Sequence, residues 1–323
     1  MRAPAFWSED SFISRLLSPI GCAYGYAAAA RSRRAKPARV NRPVICIGNL
    51  VAGGAGKTPV ALAVAERLST RGLKPHFLTR GYGGRIVGPH RVEPDRHRAA
   101  DVGDEALLLA QRATTWISQD RAAGAQAAER DGADIIVMDD GLQNHGLVKD
   151  LSLVVIDGAY GIGNGRVIPA GPLREFRQDG LARADGIVVL GAVSGKTAAI
   201  LPDSVPVFEA SLVPTRDFGK DGAAVVAFAG IGRPSKFFDT LSASGAQVIE
   251  NRSFPDHHLY AKSEIAALKS LAARHGATLV TTEKDFIRLD PNAAAGIEAF
   301  PVLVQWRNLD RFDDFLTEAF SNG

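Results

Sequence analysis

Apolar residues in this chain fall in short continuous runs at 44–47, 76–79, 115–118, 135–138, 153–156 and 187–190. Runs of this length without polar alternation predict strands buried on both faces, the habit of parallel sheets. Helical spacing fills the gaps at 58–71, 104–112 and 120–130. The alternation predicts an α/β unit whose mostly parallel sheet is covered on both sides. A second series begins at residue 223, with strands at 224–229, 247–251 and 278–282 and helices near 234–244 and 263–275. Segments 205–212 and 300–306 read as extended and are expected to pair as a β-ribbon between two units, before a last helix at 309–320. Two domains are expected from the length of 323 residues, more than one core usually organises. The expected divisions are 1–42, 43–204, 205–222, a smaller α/β domain at 223–299, and 300–323. Region 164–177, rich in Gly, Pro and Arg, breaks the rhythm and reads as an ordered loop beside a site.

The N-terminal pattern differs. Residues 16–30 carry no charge and lie between Arg15 and Arg31. That stretch is short of the ~20 apolar residues needed to span a bilayer. Phe6, Ile13, Leu16, Leu17, Ile20 and Tyr24 fall on one helical stripe, with Trp7 at its start. Arg31, Arg33, Arg34, Lys36, Arg39 and Arg42 follow with no acid among them. Without these six, 32 basic residues face 35 acidic ones, so the formal charge of +3 is a local feature. This argues for a surface meeting something anionic, and against a general nucleic-acid binder. An interfacial helix with a polybasic segment on anionic headgroups explains both features. A helix packed on its own core is the competing reading. A signal peptide is disfavoured because Glu9 and Asp10 stand where positive charge belongs. Only Cys22 and Cys46 occur, without metal-ligand spacing, which fits a reducing compartment and no disulfide framework.

The sharpest chemical signal runs from Val44 to Thr58, where an apolar strand enters a glycine-rich loop that opens a helix. In the loop Val51-Ala52-Gly53-Gly54-Ala55-Gly56-Lys57-Thr58, backbone N–H groups can curl around phosphate oxygens at the helix N-terminus. Lys57 is expected at the β- and γ-phosphates of ATP and the Thr58 hydroxyl at Mg²⁺. The strict phosphate-loop pattern has glycine at 51, where this chain has valine.

Residues 134–140 form an apolar strand ending in Asp139 and Asp140. Ligands of open α/β sheets sit at the carboxyl ends of strands, so these carboxylates are expected to complete Mg²⁺ coordination opposite the loop. Asp104 and Glu105 open a helix, where an aspartate alone reads as a cap. Phe254-Pro-Asp-His-His258 reads alone as a turn. An aspartate tuned by a nearby histidine is a workable base for a kinase, although sequence does not pair residues so far apart.

Taken together, the stretches GNLVAGGAGKTPV, RGYGG, VGDEALLLA, MDDGLQNH, GNGRVIPAGPLREF, FPDHH and TTEKD resemble the tetraacyldisaccharide 4′-kinase family, in family order from residue 48 to 285. The resemblance implies a P-loop NTPase-like domain and a second α/β domain joined by a β-ribbon, with a cleft between them. It implies transfer of the ATP γ-phosphate to the 4′-hydroxyl of an acylated glucosamine disaccharide 1-phosphate, giving lipid IVA. It places the protein at the cytoplasmic face of the inner membrane, peripheral or monotopic, against an anionic surface and without an obligate protein partner. Carried over, Asp104 is the base, His257 its partner, and Lys57 the phosphate-binding lysine. Asp139 and Asp140 organise Mg²⁺ with Thr58, and Glu105, Arg121, Gln143, Arg174 and Glu175 become substrate or phosphate contacts. Family members often carry His after DDGxQ, whereas this chain has Asn144 and then His145. Two rivals remain: another P-loop small-molecule kinase or ligase, and a membrane-recruited nucleotide switch.

Overall fold

The computed structural model describes residues 4–216, Phe218 and 222–321. The ends of the expected segments 1–42, 205–222 and 300–323 therefore lie partly outside the described residues. A nine-stranded sheet holds β1 (Val44–Gly48), β2 (Pro75–Thr79), β3 (His90–Arg91), β4 (Thr115–Ile117), β5 (Ile135–Asp139), β6 (Leu151–Asp157), β7 (Gly186–Leu190), β8 (Val207–Pro214) and β13 (Val302–Trp306). A four-stranded sheet holds β9 (Ala224–Ala229), β10 (Gln247–Ser253), β11 (Thr278–Thr282) and β12 (Ile297–Phe300). The orders are β13-β8-β7-β6-β1-β5-β2-β4-β3 and β10-β9-β11-β12. Pairing is parallel except at the two edges of the larger sheet, β3 with β4 and β13 with β8.

Successive residues of one strand feed different cores, which is why the apolar runs are unbroken. Val44 and Cys46 of β1 join the cluster on one face, with Ile136 and Met138 of β5. Ile45 and Ile47 join the other face with Ile135 and Val137. A strand covered on both sides has no solvent face to mark with a polar residue. The smaller sheet repeats this: Val225, Ala227 and Ala229 face one cluster, Val226 and Phe228 the other.

The extended segments expected at 205–212 and 300–306 are present and pair with each other. They pair antiparallel as β8 and β13 and extend the nine-stranded sheet, with Val302 opposite Pro214 and Trp306 opposite Ala210. Phe300 instead ends β12 of the smaller sheet, so the chain changes sheets at Pro301. The last helix, Leu309–Ser321, covers β13 by burying Phe312 and Leu316, with the Phe312 ring stacked on Trp306. The two-residue β3 escaped expectation because so short a strand leaves no periodicity.

Helix α1 (Phe12–Arg34) is longer than its uncharged stretch. It docks through its small residues: Ser14, Gly21 and Gly25 are buried, while Phe12, Ile13, Leu16, Ile20 and Tyr24 are exposed. The stripe differs from expectation at its start. Trp7 lies in a separate turn, Ala5–Trp7, and donates its indole N–H inward to the Pro169 carbonyl. Among the described residues no helix is long and apolar enough to cross a membrane.

Candidate active site

Strand β1 delivers the loop 49–56, and helix α2 (Lys57–Thr70) begins directly after it. Gly53 and Gly56 hold φ of 119° and 87°, a region that β-carbons disfavour. A β-carbon at Gly56 would also strike Leu190. Val51 needs no such freedom. It runs extended against Leu173, with the Ala52 N–H donating to the Pro172 carbonyl and the Arg174 N–H to that of Leu50. Pairing with the 164–177 loop thus explains valine in place of glycine, and buries the side chain in the core.

The register of β5 on β1 places Asp139 beside Ile47, at the strand end facing the loop. The Thr58 hydroxyl donates to Asp139 Oδ2 at 2.9 Å. Asp139 Oδ1 is buried without a hydrogen-bond partner, and a buried orphan oxygen calls for an explanation such as an ion. Burial, then the nearby Glu105, pushes the Asp139 carboxyl up to about 7. Asp140 sits at φ 55°, with Lys57 Nζ at 3.6 Å and Arg174 Nη1 at 2.8 Å. Burial opposes its ionisation, but these two cations bring it down to about 2. Hard carboxylate and hydroxyl oxygens suit Mg²⁺, which usually takes one or two carboxylates plus phosphates and water. Among the described residues no group of three or more His, Cys, Asp or Glu is gathered as a metal site.

In the same domain as the loop, Asp104 opens helix α3 (Asp104–Ala110). His257 belongs to the β10–α6 loop of the smaller sheet, α6 being Lys262–Arg274. His257 Nδ1 lies 2.9 Å from Asp104 Oδ2, and Asp104 Oδ1 accepts the Glu105 N–H at 2.8 Å. Burial works to raise the Asp104 carboxyl, but the His257 hydrogen bond and the charges of Lys284 and Arg288 outweigh it and hold it low. His258 turns away, bonding Glu264 at 2.9 Å and stacking on Phe254. Among the described residues the non-glycine positions with positive φ are Asp140 and His257. Such conformations cost about 1–3 kcal/mol and persist where the surroundings enforce them.

The expected contact residues divide. Gln143 donates to the Asn49 carbonyl and to Glu175 Oε1, each at 2.9 Å, and accepts from Arg174. Glu175 is buried and also paired with Arg183 at 2.6 Å. Arg174, Gln143 and Glu175 therefore brace the loop and Asp140. Arg121 begins helix α4 (Arg121–Arg130), is 5% exposed and donates to the Ser118 carbonyl. Burial and the neighbouring Arg80 bring its guanidinium down to about 10. Its Nε is buried without a partner, while Asp139 and Asp140 are close enough to act on its charge. Glu105 pairs with Lys284 at 3.0 Å.

Several site residues left no clear trace in the sequence. Arg233 and Lys236, at the start of helix α5 (Pro234–Ala243), each reach Asp157 Oδ2 at 2.8 Å. Arg233 also donates to the Gly54 carbonyl at 3.0 Å, so the smaller domain touches the phosphate loop. Lys284 of helix α7 (Glu283–Phe286) and Arg288 stand behind the Asp104–His257 pair. The available signals were TTEKD at the end of β11 and the Gly230-Ile231-Gly232-Arg233 turn after β9, both at carboxyl ends of parallel strands, where ligand sites form.

Comparison with known proteins agrees across the whole chain. Residues 13–321 match the family model described as LpxK, tetraacyldisaccharide-1-P 4'-kinase. The tetraacyldisaccharide 4'-kinase of Paramagnetospirillum magneticum is 52% identical over 309 residues, covering 95% of each chain. That of Rhodospirillum rubrum is 51% identical over 311 residues, covering 94% of this chain and 93% of its own. A crystal structure described as an "apo" form of LpxK from Aquifex aeolicus in complex with ATP has a TM-score of 0.76. It covers 96% of this chain and all of its own, and at 24% identity it shows the shared fold.

Proposed function

This chain belongs to the tetraacyldisaccharide-1-P 4'-kinase family, and we propose that its cleft transfers the ATP γ-phosphate to the 4′-hydroxyl of a tetraacyldisaccharide 1-phosphate, giving lipid IVA. The observation that carries this reading is the convergence of two half-sites. His257 of the smaller domain reaches Asp104, and Arg233 of the same domain reaches Gly54 of the phosphate loop. The phosphate loop and the Asp104–His257 pair therefore meet the same smaller domain.

In this mechanism the loop amides and Lys57 hold the triphosphate, with Lys57 moving its charge from Asp140 to the phosphate oxygens. Thr58 and Asp139 would hold Mg²⁺, which would supply charge neutralisation on the triphosphate. Asp104, steadied by His257, accepts the proton as the hydroxyl oxygen bonds to the γ-phosphorus and the bond to the bridging oxygen breaks. Arg233 and the Gly232 backbone close over Gly54 and exclude water, the competing acceptor.

The same proposal places the enzyme at a membrane surface. Support comes from the exposed apolar face of α1 and from Arg31, Arg33 and Arg34 in its last turn. A helix lying in the interface presents this combination. Arg39 contributes less than expected to such a patch, because it pairs with Asp150 at 2.9 Å. Transfer of ³²P from γ-labelled ATP to the acylated disaccharide in detergent micelles tests the activity. Label appearing only as inorganic phosphate would favour the nucleotide switch, and label on a water-soluble acceptor the small-molecule kinase.

A further inference from the structure

A buried group of charges behind the Asp104–His257 pair goes beyond what phosphoryl transfer requires. Lys284 Nζ lies 3.0 Å from Glu105 Oε1 and 3.5 Å from His257 Nε2. Arg288, with a side chain 2% exposed, places Nε 3.2 Å from Asp104 Oδ2. Asp285 is fully buried and binds Arg288, the Tyr260 hydroxyl and the Gly230 N–H. The Thr282 hydroxyl completes this scaffold by donating to Asp285 and accepting its N–H, so TTEKD builds the floor under His257.

Among the described residues, charged and titratable groups surround His257 from several elements. Asp104 and Glu105 come from α3; Lys284, Asp285 and Arg288 come from α7 and the turn after it. Asp256 comes from its own loop, at 3.9 Å from Nε2, and the Tyr82 ring from the loop after β2, at 5.1 Å. Lysine ammonium is a donor only. The imidazole nitrogen facing it therefore offers a lone pair, and the ring proton belongs on Nδ1, donated to Asp104.

We propose that Lys284 is a positioning residue of the reaction: bonded to Glu105 and standing at His257 Nε2, it fixes the Nδ1–H tautomer and keeps Asp104 ionised. Lys284 and His257 come from the smaller domain, Glu105 and Asp104 from the larger, so the base is assembled only when the domains meet. This deepens the kinase reading and rests on it for its kinetic arm. It also matches the direction of the Asp104 carboxyl, on which the Lys284 charge bears.

The test uses the full chain with ATP, Mg²⁺ and the acylated disaccharide in micelles, comparing wild type, Lys284→Met and Lys284→Arg. Lys284→Met moves the acid limb of the kcat/KM profile up by about one pH unit, and Lys284→Arg leaves it near its wild-type place. A folded Lys284→Met protein that is merely slower, with its acid limb unmoved, reduces Lys284 to a tether and overturns the proposal. Histidine ¹⁵N spectra of the wild type, with His257→Gln for assignment, decide the tautomer without any turnover. A bare Nε2 supports the proposal, and a proton on Nε2 overturns it. Should the wild type phosphorylate no lipid, the kinase reading falls and these spectra alone decide the role of Lys284.

Discussion

His257 Nδ1 stands 2.9 Å from Asp104 Oδ2 although 153 positions separate them, one on a loop of the smaller sheet and the other at the head of α3. Neither residue alone is a convincing base. Asp104 is buried, with Oδ1 already accepting an N–H, and His257 sits in a left-handed conformation that its loop must enforce. Under the proposed mechanism their pairing would tie the base to contact between the two domains, a device that commits the donor to its acceptor before reaction.

Asp104→Asn is expected to lower kcat by about 10²–10⁴-fold, the usual worth of a positioned general base, with little change in KM for ATP. His257→Gln is expected to fall within the same range. Because the pair acts as a unit, the double variant should be about as slow as Asp104→Asn alone. Steady-state kinetics on the three proteins check this, and multiplicative losses would mean independent roles.

Lys57→Met removes a cation from the transferring phosphate and should cost about 10²–10³-fold in kcat, as loss of one preorganised donor does. Asp139→Asn should raise the Mg²⁺ concentration needed for half-maximal rate, because it removes the carboxylate whose Oδ1 has no protein partner. Magnesium titrations of initial rate read this out, and an unchanged requirement would move the ion elsewhere.

The large sheet was legible because strands covered on both faces leave unbroken apolar runs, as at Ile45, Cys46 and Ile47. The phosphate loop was legible because its glycines, Lys57 and Thr58 act within one local turn. The smaller domain's share was not. Arg233, Lys236, Lys284 and Arg288 are ordinary surface residues in sequence, and nothing there foretells that they meet Asp157, Glu105 and Asp104 of the larger domain. Gln143, Arg174 and Glu175, expected as substrate or phosphate contacts, also bond one another and Asp140, which their spacing did not reveal. Spacing along a chain cannot distinguish a side chain that points at a ligand from one that holds its neighbour.

Asp157 should clasp the two domains in a pH-dependent way. Burial raises its carboxyl, but the Lys236 hydrogen bond and the charges of Lys236 and Arg233 outweigh that and depress it. A depressed carboxylate stabilises above its unfolded pKa of about 3.9, and loses that contribution as pH falls through the lower folded value. Asp157→Asn is thus expected to cost about 1–3 kcal/mol at neutral pH, with the difference shrinking in acid. Urea unfolding of both proteins across that range checks it, and a pH-independent difference would exclude the clasp.

The docking of α1 depends on having no side chain at Gly25. A β-carbon there would lie 2.6 Å from the Phe176 ring, so Gly25→Val should weaken docking by about 1–3 kcal/mol, the usual cost of overpacking. Earlier proteolytic release of the N-terminal segment would report it, and an unchanged cleavage rate would refute the contact.

Replacing Phe12, Leu16 and Ile20 together by serine leaves the docked face intact but removes the apolar one. Each such chain is worth about 1.5–3 kcal/mol when buried, so sedimentation with anionic vesicles should be lost. Undiminished sedimentation would place the membrane contact on another surface.

The most direct test is a crystal structure with Mg²⁺, a non-hydrolysable ATP analogue and the acylated disaccharide. The account predicts the triphosphate along residues 51–58, the ion on Thr58 and Asp139, and the acceptor hydroxyl between the γ-phosphate and Asp104. A triphosphate bound elsewhere, or an acceptor hydroxyl remote from Asp104, would contradict it.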